Sequence, residues 1–260
     1  MMRKKINKIT KLLIFPISLL IVFFGFSFFI SDVNAEGEIE IYTLEDLNDV
    51  RNDLTESYIL MNDLDFNNDS DYENISNKTT WTTGEGWVPI GDYTTPFSGT
   101  FDGQEFSISN LLIDTPTDIY DVGLFGANSG TIQNLEVLTS SVTGHDNPSP
   151  TPGEFTGVLI GYNTGTVTNC GSTGTVSTDG NNGGGLMGYH EVGTISDSYS
   201  EASVTYTGAN YKDAFGGLVG KTYGGATIDN CYATGLISEF ASAHTGTSAG
   251  GLSGVSEGTC

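Results

Sequence analysis

The sequence predicts an all-β fold, a right-handed parallel β-helix with about one coil for each repeat of 27 to 35 residues. Three observations support this prediction. A Gly-Leu-x-Gly-like tetrapeptide recurs five times, short segments rich in Val, Ile and Thr lie between glycines, and no repeat contains the ten or more residues of 3.6-residue periodicity that a helix needs. The one helix expected is a short N-terminal capping helix.

The tetrapeptide ends in glycines that are 35, 27, 32 and 34 residues apart, which indicates one structural unit stacked on copies of itself. Its copies span residues 123–126, 158–161, 185–188, 217–220 and 251–254. The leucines within them are predicted to form one inner column: Leu124, Leu159, Leu186, Leu218 and Leu252. The closing glycine is expected at a sharp corner, with a positive φ and no room for a Cβ.

A second phrase, Gly-Thr-Ile-x-Asn in its clearest copy, follows each of the first four closing glycines and predicts a strand that ends at a polar corner. Its apolar position should form a second inner column: Ile132, Val167, Ile195 and Ile228. Its polar position should form hydrogen bonds between neighbouring coils: Asn134, Asn169, Asp197 and Asn230. Tyr199 and Tyr232 are expected to lie side by side in the same way.

Residues 36–121 are predicted to form an N-terminal cap and the first coils, and residues 122–260 the repeats, ending within the fifth. Thr43 begins a capping box, after which Leu44, Leu47, Val50 and Leu54 line one face of a short helix. Strands are expected at residues 58–61 and 87–90 and within 97–108, with a tight turn at Asp102-Gly103.

Residues 1–35 have the layout of a secretory signal peptide, with five basic residues, an apolar stretch and a Val-x-Ala site ending at Ala35. An uncleaved membrane anchor is the alternative, because nineteen apolar residues are long enough to cross a bilayer. Either interpretation predicts a secreted or cell-surface protein. Contact with a membrane is expected only through this segment.

Residues 36–260 hold 4 basic and 31 acidic residues, a net charge of −27. A polyanion of this strength repels nucleic acid and disfavours polyanionic sugars, so nucleic acid is excluded as a partner. Cys170 and Cys231 occupy equivalent positions two repeats apart, about 9 to 10 Å, which is too far for a disulfide. They are predicted to be reduced core residues, and Cys260 has no assignable partner.

These phrases resemble the GLUG-motif family, whose bacterial surface proteins carry Gly-Leu-x-Gly, a turn, Gly-Thr-Ile-x-Asn-Cys and Gly-x-Val. The clearest copies are residues 217–235 and 158–176, and residues 87–91 and 97–103 resemble the segment that precedes such repeats. The resemblance implies an adhesin-like surface protein or the stalk of an immunoglobulin A peptidase. A zinc peptidase needs His-Glu-x-x-His, and His190-Glu191 lacks the second histidine, so no protease site is predicted.

No catalytic residue is assigned. His145, His190 and His244 fall at unrelated repeat positions, which favours solvated loop histidines over catalytic ones. Asp114, Asp118 and Asp121 cluster before the first repeat, and Asp102 lies on the Asp-Gly turn. These four are the candidates for a carbohydrate-active site. Their spacing alone does not place two carboxyl groups at the separation that glycoside hydrolysis requires.

A partial calcium loop is the only candidate for a metal site, and its ligands would be Asp63, Asp65, Asn67 and Asp69. It departs from the EF-hand pattern, because Asn68 replaces the turn glycine and Asn74 the bidentate glutamate. A solvated loop is therefore favoured, and no cofactor is predicted.

Four tyrosines near the loops between repeats are candidates for stacking on sugars or contacting a protein, with ordinary turn aromatics favoured: Tyr162, Tyr189, Tyr206 and Tyr211. The function expected is that of an exported, non-catalytic adhesion or structural module of a larger protein, whose partner would be a protein or glycan of a host or cell surface. The alternative is a carbohydrate-active β-helix enzyme, or a peptidase stalk whose catalytic part lies beyond residue 260.

Overall fold

The computed structural model describes residues 37–67, 81, 85–114, 119–145, 154–208, 214–239 and 248–256. Within them the protein is all-β, with a short α-helix near the N-terminus and parallel strands arranged in three sheets. The predicted signal segment of residues 1–35 lies outside the described residues, as do Asp69, Asp118, Tyr211, His244 and Cys260.

The N-terminal part begins with strand β1 and a capped helix. Helix α1 spans Leu44–Asp49, and the Thr43 side chain accepts the Asp46 amide while the Asp46 side chain accepts the Thr43 amide, as the capping box predicts. A 3₁₀ turn, Val50–Asn52, continues it. Leu44, Leu47 and Val50 are fully buried, which places the apolar face against the core. The strands of this part are β1 Ile39–Ile41, β2 Ser57–Leu60, β3 Leu64–Asp65, β4 Thr100–Asp102, β5 Ser107–Ser109 and β6 Leu112–Asp114.

The repeats then contribute equivalent strands in order. They are β7 Asp121–Val122, β8 Phe125–Asn128, β9 Thr131–Gly144, β10 Phe155–Thr156, β11 Ile160–Asn163, β12 Thr166–Thr178, β13 Asn182–Gly184, β14 Met187–His190, β15 Gly193–Ser196, β16 Tyr199–Ser200, β17 Ser203–Tyr206, β18 Ala214–Gly216, β19 Val219–Thr222, β20 Ala226–Asp229, β21 Tyr232–Ala233, β22 Ile237–Glu239, β23 Ser248–Gly250 and β24 Ser253–Ser256.

Strands at the same repeat position pair with one another in parallel. The two smaller sheets run β23-β18-β13-β10-β7 and β24-β19-β14-β11-β8, and the large sheet contains β1-β2-β4-β9-β12-β15-β20 with seven further strands beside this path. Strands β9 and β12 are each continuous and pair with one another. In the next repeat the corresponding stretch is divided into three short strands, β15, β16 and β17, which all pair with β12.

The predicted inner columns are present. Ile132, Val167, Ile195 and Ile228 pair in register and are buried. Backbone hydrogen bonds link the leucine segments in succession, and the first four leucines are fully buried. An outward column on the same strands was not predicted, and consists of Thr100, Thr131, Thr166, Thr194 and Thr227.

The polar corner also has the predicted form. Its four residues adopt left-handed backbone conformations, with φ between 49° and 53°. The amide of Asn169 donates to Asn134 Oδ1 at 3.0 Å, Asn134 donates to Asp102 Oδ1 at 3.0 Å, and Asn230 donates to Asp197. Asparagine and aspartate tolerate this conformation better than other residues with a Cβ, which explains their recurrence.

The closing glycine differs from the prediction in one respect. None of these glycines has a positive φ; the positive-φ glycines of the described chain are Gly86, Gly91, Gly174 and Gly193. The requirement is close approach, since a Cβ on Gly188 would lie 2.5 Å from the Thr156 nitrogen and one on Gly161 2.5 Å from the Val122 nitrogen. The glycine therefore lets the two smaller sheets meet backbone to backbone.

Two predictions in the N-terminal part need correction. Residues 87–90 form no strand, and only an isolated bridge joins Ile90 to Phe125. The tight turn lies one residue beyond Asp102, where the Phe106 amide donates to the Gly103 carbonyl at 2.8 Å and both central residues have positive φ. It links strands that each pair in parallel with β9, so it is a corner and not a hairpin.

Candidate functional site

A cleft beside the N-terminal cap is the candidate site, and we call it the Asp121 cleft. It has a volume of about 570 Å³ and lies between the 3₁₀ turn, the loop 88–95 and residues 119–121. Its walls include Leu54, Ile119, Tyr93, Tyr120, Asp92 and Asp121. A concave site of this size with apolar walls and a few polar groups is typical of small-ligand sites.

Arg51 holds the loop that forms one wall. Its guanidinium donates to the carbonyls of Val88, at 2.9 and 3.0 Å, and Pro89, at 3.1 Å, and lies 4.6 Å from the centre of the Trp87 ring. Burial lowers the pKa of Arg51 to about 10. The charge therefore anchors the loop and is largely committed to backbone oxygens.

Asp121 is the most unusual group in the cleft. Its side chain is 5% exposed, Oδ2 accepts the Tyr93 amide at 2.9 Å, and Oδ1 has no hydrogen-bond partner among the described residues. Burial, with the charge of Asp92 adding to it, raises the pKa of Asp121 to about 7 against the opposing hydrogen bond from Tyr93. The group therefore titrates near neutrality, as many functional carboxyl groups do.

Asp92 shapes the turn that carries Tyr93. Its Oδ1 accepts the Thr94 amide, the Thr94 hydroxyl and the Thr95 amide. Burial opposes ionisation, but these donors outweigh it and lower the pKa of Asp92. The surroundings therefore raise the pKa of Asp121 and lower the pKa of Asp92.

Aromatic rings continue from the cleft along the outer faces of the smaller sheets. Tyr93 packs edge to face on Tyr162 with ring centres 5.0 Å apart. Phe155 and Tyr189 stack at 4.9 Å, and Tyr162 stacks on both at 5.7 Å. The Tyr162 hydroxyl also donates to Glu191. The column register of β11 and β14 produces this cluster, because Tyr162 and Tyr189 are direct neighbours.

The structure therefore brings together two of the four tyrosines predicted from the sequence. Tyr162 and Tyr189 lie side by side, with their faces turned to each other and to Phe155. Tyr206 is only 1% exposed and packs on Phe215, so it is a core residue and not a surface contact. Tyr211 lies outside the described residues.

The histidines are not all solvated, so that prediction is wrong for His190. Its ring is fully buried at the end of β14, where Asn163 Nδ2 lies 3.1 Å from Nδ1 and Nε2 has no partner among the described residues. Burial lowers the pKa of His190. The histidine extends a buried amide ladder, in which Asn128 donates to Asn163 at 2.7 Å. His145 Nε2 lies 2.8 Å from Asp114 Oδ1, within hydrogen-bonding distance, and His244 lies outside the described residues.

The other predicted carboxylates serve local structure. Asp102 accepts the Gln104 amide and the side chains of Gln133 and Asn134, and Asp114 pairs with His145. Of the four candidates, only Asp121 lines the cleft, and Asp118 lies outside the described residues.

The calcium candidates are engaged with the next coil. Asp63 Oδ1 accepts the Ser107 amide at 2.8 Å, and Asp65 Oδ1 accepts the Asn67 amide at 2.9 Å and the Asn110 side chain at 2.7 Å. Asp69 lies outside the described residues, so the calcium loop stays a prediction. Within the described part of the chain, no group of three or more His, Cys, Asp or Glu side chains is placed to hold a metal ion.

Cys170 and Cys231 are free, as predicted, and Cys260 lies outside the described residues. Cys170 is buried, Cys231 is partly exposed, and the Ser198 hydroxyl accepts the Cys170 amide at 3.1 Å between them. Burial raises the pKa of the Cys170 thiol to about 12, which makes it unreactive. None of the helices in the described ranges is long and apolar enough to span a membrane.

The sequence predicted little of the cleft, because Arg51, Asp92 and Tyr93 belong to no repeat and carry no motif of their own. The nearest signal is Asp92 with threonines two and three residues after it, Thr94 and Thr95, a pattern typical of a side-chain-capped turn. Asp121 lies two residues before the first tetrapeptide and begins strand β7, with Tyr120 directly ahead of it.

Comparison with known proteins confirms the resemblance to the GLUG-motif family. Residues 214–238 match the family model described as the GLUG motif. The chain is 34% identical over 207 residues to Halomucin of Haloquadratum walsbyi (strain DSM 16790 / HBSQ001), an alignment that covers 76% of this chain and 2% of that protein.

A solved structure from Bacteroides ovatus, of a protein provisionally named an immunoglobulin A1 protease, has a similar fold. The TM-score is 0.62 at 23% sequence identity, and the match covers 86% of this chain and 63% of the other. This likeness concerns the fold alone. The chain thus spans less than two thirds of either relative, and a very small part of the halomucin.

Proposed function

Because the chain carries GLUG-type repeats, we propose that it is a right-handed parallel β-helix that serves as a non-catalytic adhesion or structural module of a larger, exported protein. Each repeat supplies one strand or set of strands to each of three parallel sheets, so one coil for each repeat accounts for the pairing. Right-handed winding follows from the strong preference of parallel crossover connections.

One observation carries the proposal: structural residues recur in register, and groups able to do chemistry do not. Leucine, glycine and the corner asparagines repeat from coil to coil. Asp121, His145 and His190 each occur at a single repeat position, and among the described residues none is joined to a nucleophile or a second acid in the arrangement that a hydrolytic site needs. A stacked scaffold of this kind provides length and surface.

Location at the cell surface or in the medium is supported by the N-terminal segment of the sequence and by the charge of −27 over residues 36–260. The relatives support a module within a longer protein, since the chain aligns with 2% of the halomucin. The proposed partner is a protein or glycan of a host or cell surface.

The test fuses the full chain to alkaline phosphatase, a reporter that is active only after export, and incubates the purified chain with neutral and acidic polysaccharides in the presence of Ca²⁺. We expect reporter activity outside the cytoplasm and no release of reducing ends or unsaturated uronates. Cytoplasmic retention would contradict export. Turnover that is lost in Asp121→Asn would favour the carbohydrate-active alternative.

A further inference from the structure

We propose that the Asp121 cleft binds a neutral saccharide unit, with the Tyr93 ring as its stacking surface and the carboxyl groups of Asp92 and Asp121 as partners for sugar hydroxyls. The inference rests on the proposed function, because it names the chemical class to which the adhesive module attaches. It goes further in assigning that contact to one cleft and not to the repeat columns.

The buried carboxyl group is the first reason. A polar atom buried without a partner is costly, and Asp121 Oδ1 is such an atom in a cleft of about 570 Å³. The Oδ1 atom has almost no contact with solvent, so a ligand reaches it only after a small local rearrangement at the mouth of the cleft. Filling the missing hydrogen bond then contributes to binding.

The protonation state of Asp121 decides which kind of ligand group can form the missing hydrogen bond with Oδ1. A hydroxyl both donates and accepts, so it can pair with the carboxylate and equally with the carboxylic acid. A pKa near 7 means that both forms are populated at neutral pH. An ammonium group would suit only the ionised form.

Tyr93 supplies the surface on which a sugar ring can stack. Its side chain is 51% exposed, although the T-shaped contact with Tyr162 fixes the ring. Aromatic side chains with one exposed face and a fixed orientation are effective contacts for the apolar faces of sugars, because little conformational freedom is lost on binding. Leu54, Ile119 and Tyr120 complete the apolar wall.

Charge narrows the choice to neutral sugars. Residues 36–260 carry a net charge of −27, and one of the acidic residues in that count, Asp92, lines the cleft. Arg51 does little to offset this for a ligand, because three of its hydrogen bonds go to the carbonyls of Val88 and Pro89. Uronates and sulfated sugars are therefore repelled.

The experiment titrates the full chain with di- and oligosaccharides of glucose, galactose, mannose and N-acetylglucosamine, using calorimetry and saturation-transfer NMR. We expect at least one to bind, with contacts from the tyrosine ring protons, and oligogalacturonate not to bind. Tyr93→Ala and Asp121→Ala should each weaken the affinity about tenfold, from the loss of stacking and of a hydrogen bond. Tyr232→Ala is the matched control, because that side chain is also 51% exposed but lies on the large sheet.

Three outcomes would overturn the proposal. The first is no binding at about 10 mM sugar, where a site with a Kd of about 1 mM would be roughly nine-tenths occupied. The others are an affinity that both cleft variants leave unchanged, and preferential binding of a protein by the same cleft. Circular dichroism and the export reporter are measured on the same preparations. A folded, exported chain that binds no sugar would overturn this inference alone and leave the structural module standing.

Discussion

Tyr199 reaches across a whole strand to Glu136, and its hydroxyl donates to Glu136 Oε1 at 2.9 Å. The strand between them presents Gly171, which pairs with both residues. A Cβ at Gly171 would lie 2.4 Å from the tyrosine ring. The ring can lie flat only because this position lacks a side chain, and Tyr232 stacks on it at 5.3 Å from the other side.

Gly171→Ala should displace the Tyr199 ring from Glu136 and lower the free energy of unfolding by about 1–2 kcal/mol. Urea unfolding followed by circular dichroism measures this. Tyr199→Phe is the control that removes only the hydroxyl, and it should cost about 1 kcal/mol or less because the pair is partly exposed. If Gly171→Ala were as stable as the parent, the ring would not depend on this gap.

Gly188→Ala should be far more damaging than Gly251→Ala. A Cβ at Gly188 meets backbone atoms of Phe155 and Thr156 at 2.5–2.6 Å, whereas one at Gly251 meets nothing within 4 Å. Because backbone cannot swing aside as a side chain can, we expect a loss of about 3 kcal/mol at Gly188 and a change within about 0.5 kcal/mol at Gly251. Thermal unfolding of both variants measures the difference. Equal stability would contradict the close packing of the two smaller sheets.

His190→Asn should stabilise the protein more at pH 5 than at pH 8. Burial lowers the pKa of His190 in the folded state, so the unfolded chain binds an extra proton as the pH falls below about 6.5, and native stability is lost there. Asparagine does not titrate, and its amide oxygen can accept from Asn163 as Asn163 itself does from Asn128. Denaturant titrations at the two pH values measure the effect. A difference between variant and parent that is independent of pH would contradict a buried, neutral histidine.

Asp121→Asn should stabilise the protein more at pH 8 than at pH 4. The folded carboxyl holds its proton up to a pKa of about 7, whereas the unfolded one loses it near pH 4, so stability present at acid pH is lost between pH 4 and 7. Three pKa units correspond to at most about 4 kcal/mol. Asp92→Asn is the control with the opposite sign, since hydrogen bonds lower the pKa of Asp92. The same slope for both variants in urea titrations would show that burial does not govern Asp121.

The repeat columns could be predicted because identity at a repeat position reports which way the side chain points. Ile132 and Val167 point inward, and Asn134 and Asn169 turn the corner, for reasons that act within one coil and are multiplied by stacking. The free state of Cys170 and Cys231 was predicted from the same alignment. The burial of His190 could also have been predicted, because two earlier repeats have the buried asparagines Asn128 and Asn163 at the same position.

The cleft could not be predicted, because its contacts join parts of the cap that share no period. Arg51 donates to backbone carbonyls 37 and 38 residues away. Every residue has a backbone carbonyl, so residue identity does not show which ones will accept these hydrogen bonds. Asp121 was a candidate as one of four carboxylates, but its burial depends on the Tyr93 turn that covers it. For the closing glycines, the prediction that a Cβ would not fit is correct, and the prediction of a positive φ is wrong. A glycine in the sequence does not show whether the position needs an unusual backbone angle or only space.

The distance between Thr100 and Thr227 tests the stacking of one coil for each repeat most directly. The two threonines lie in one outward column and are four strand spacings apart, so their Cα atoms are about 19 Å apart. Spin labels on Thr100→Cys and Thr227→Cys, both on the same face, should report a distance close to this value. The native cysteines are replaced by serine, because the repeat between Cys170 and Cys231 already has a serine, Ser198, at the equivalent position. A narrow distribution near this distance in pulsed electron resonance is the expected result. A distance above about 30 Å, beyond six such spacings, would contradict the in-register stack.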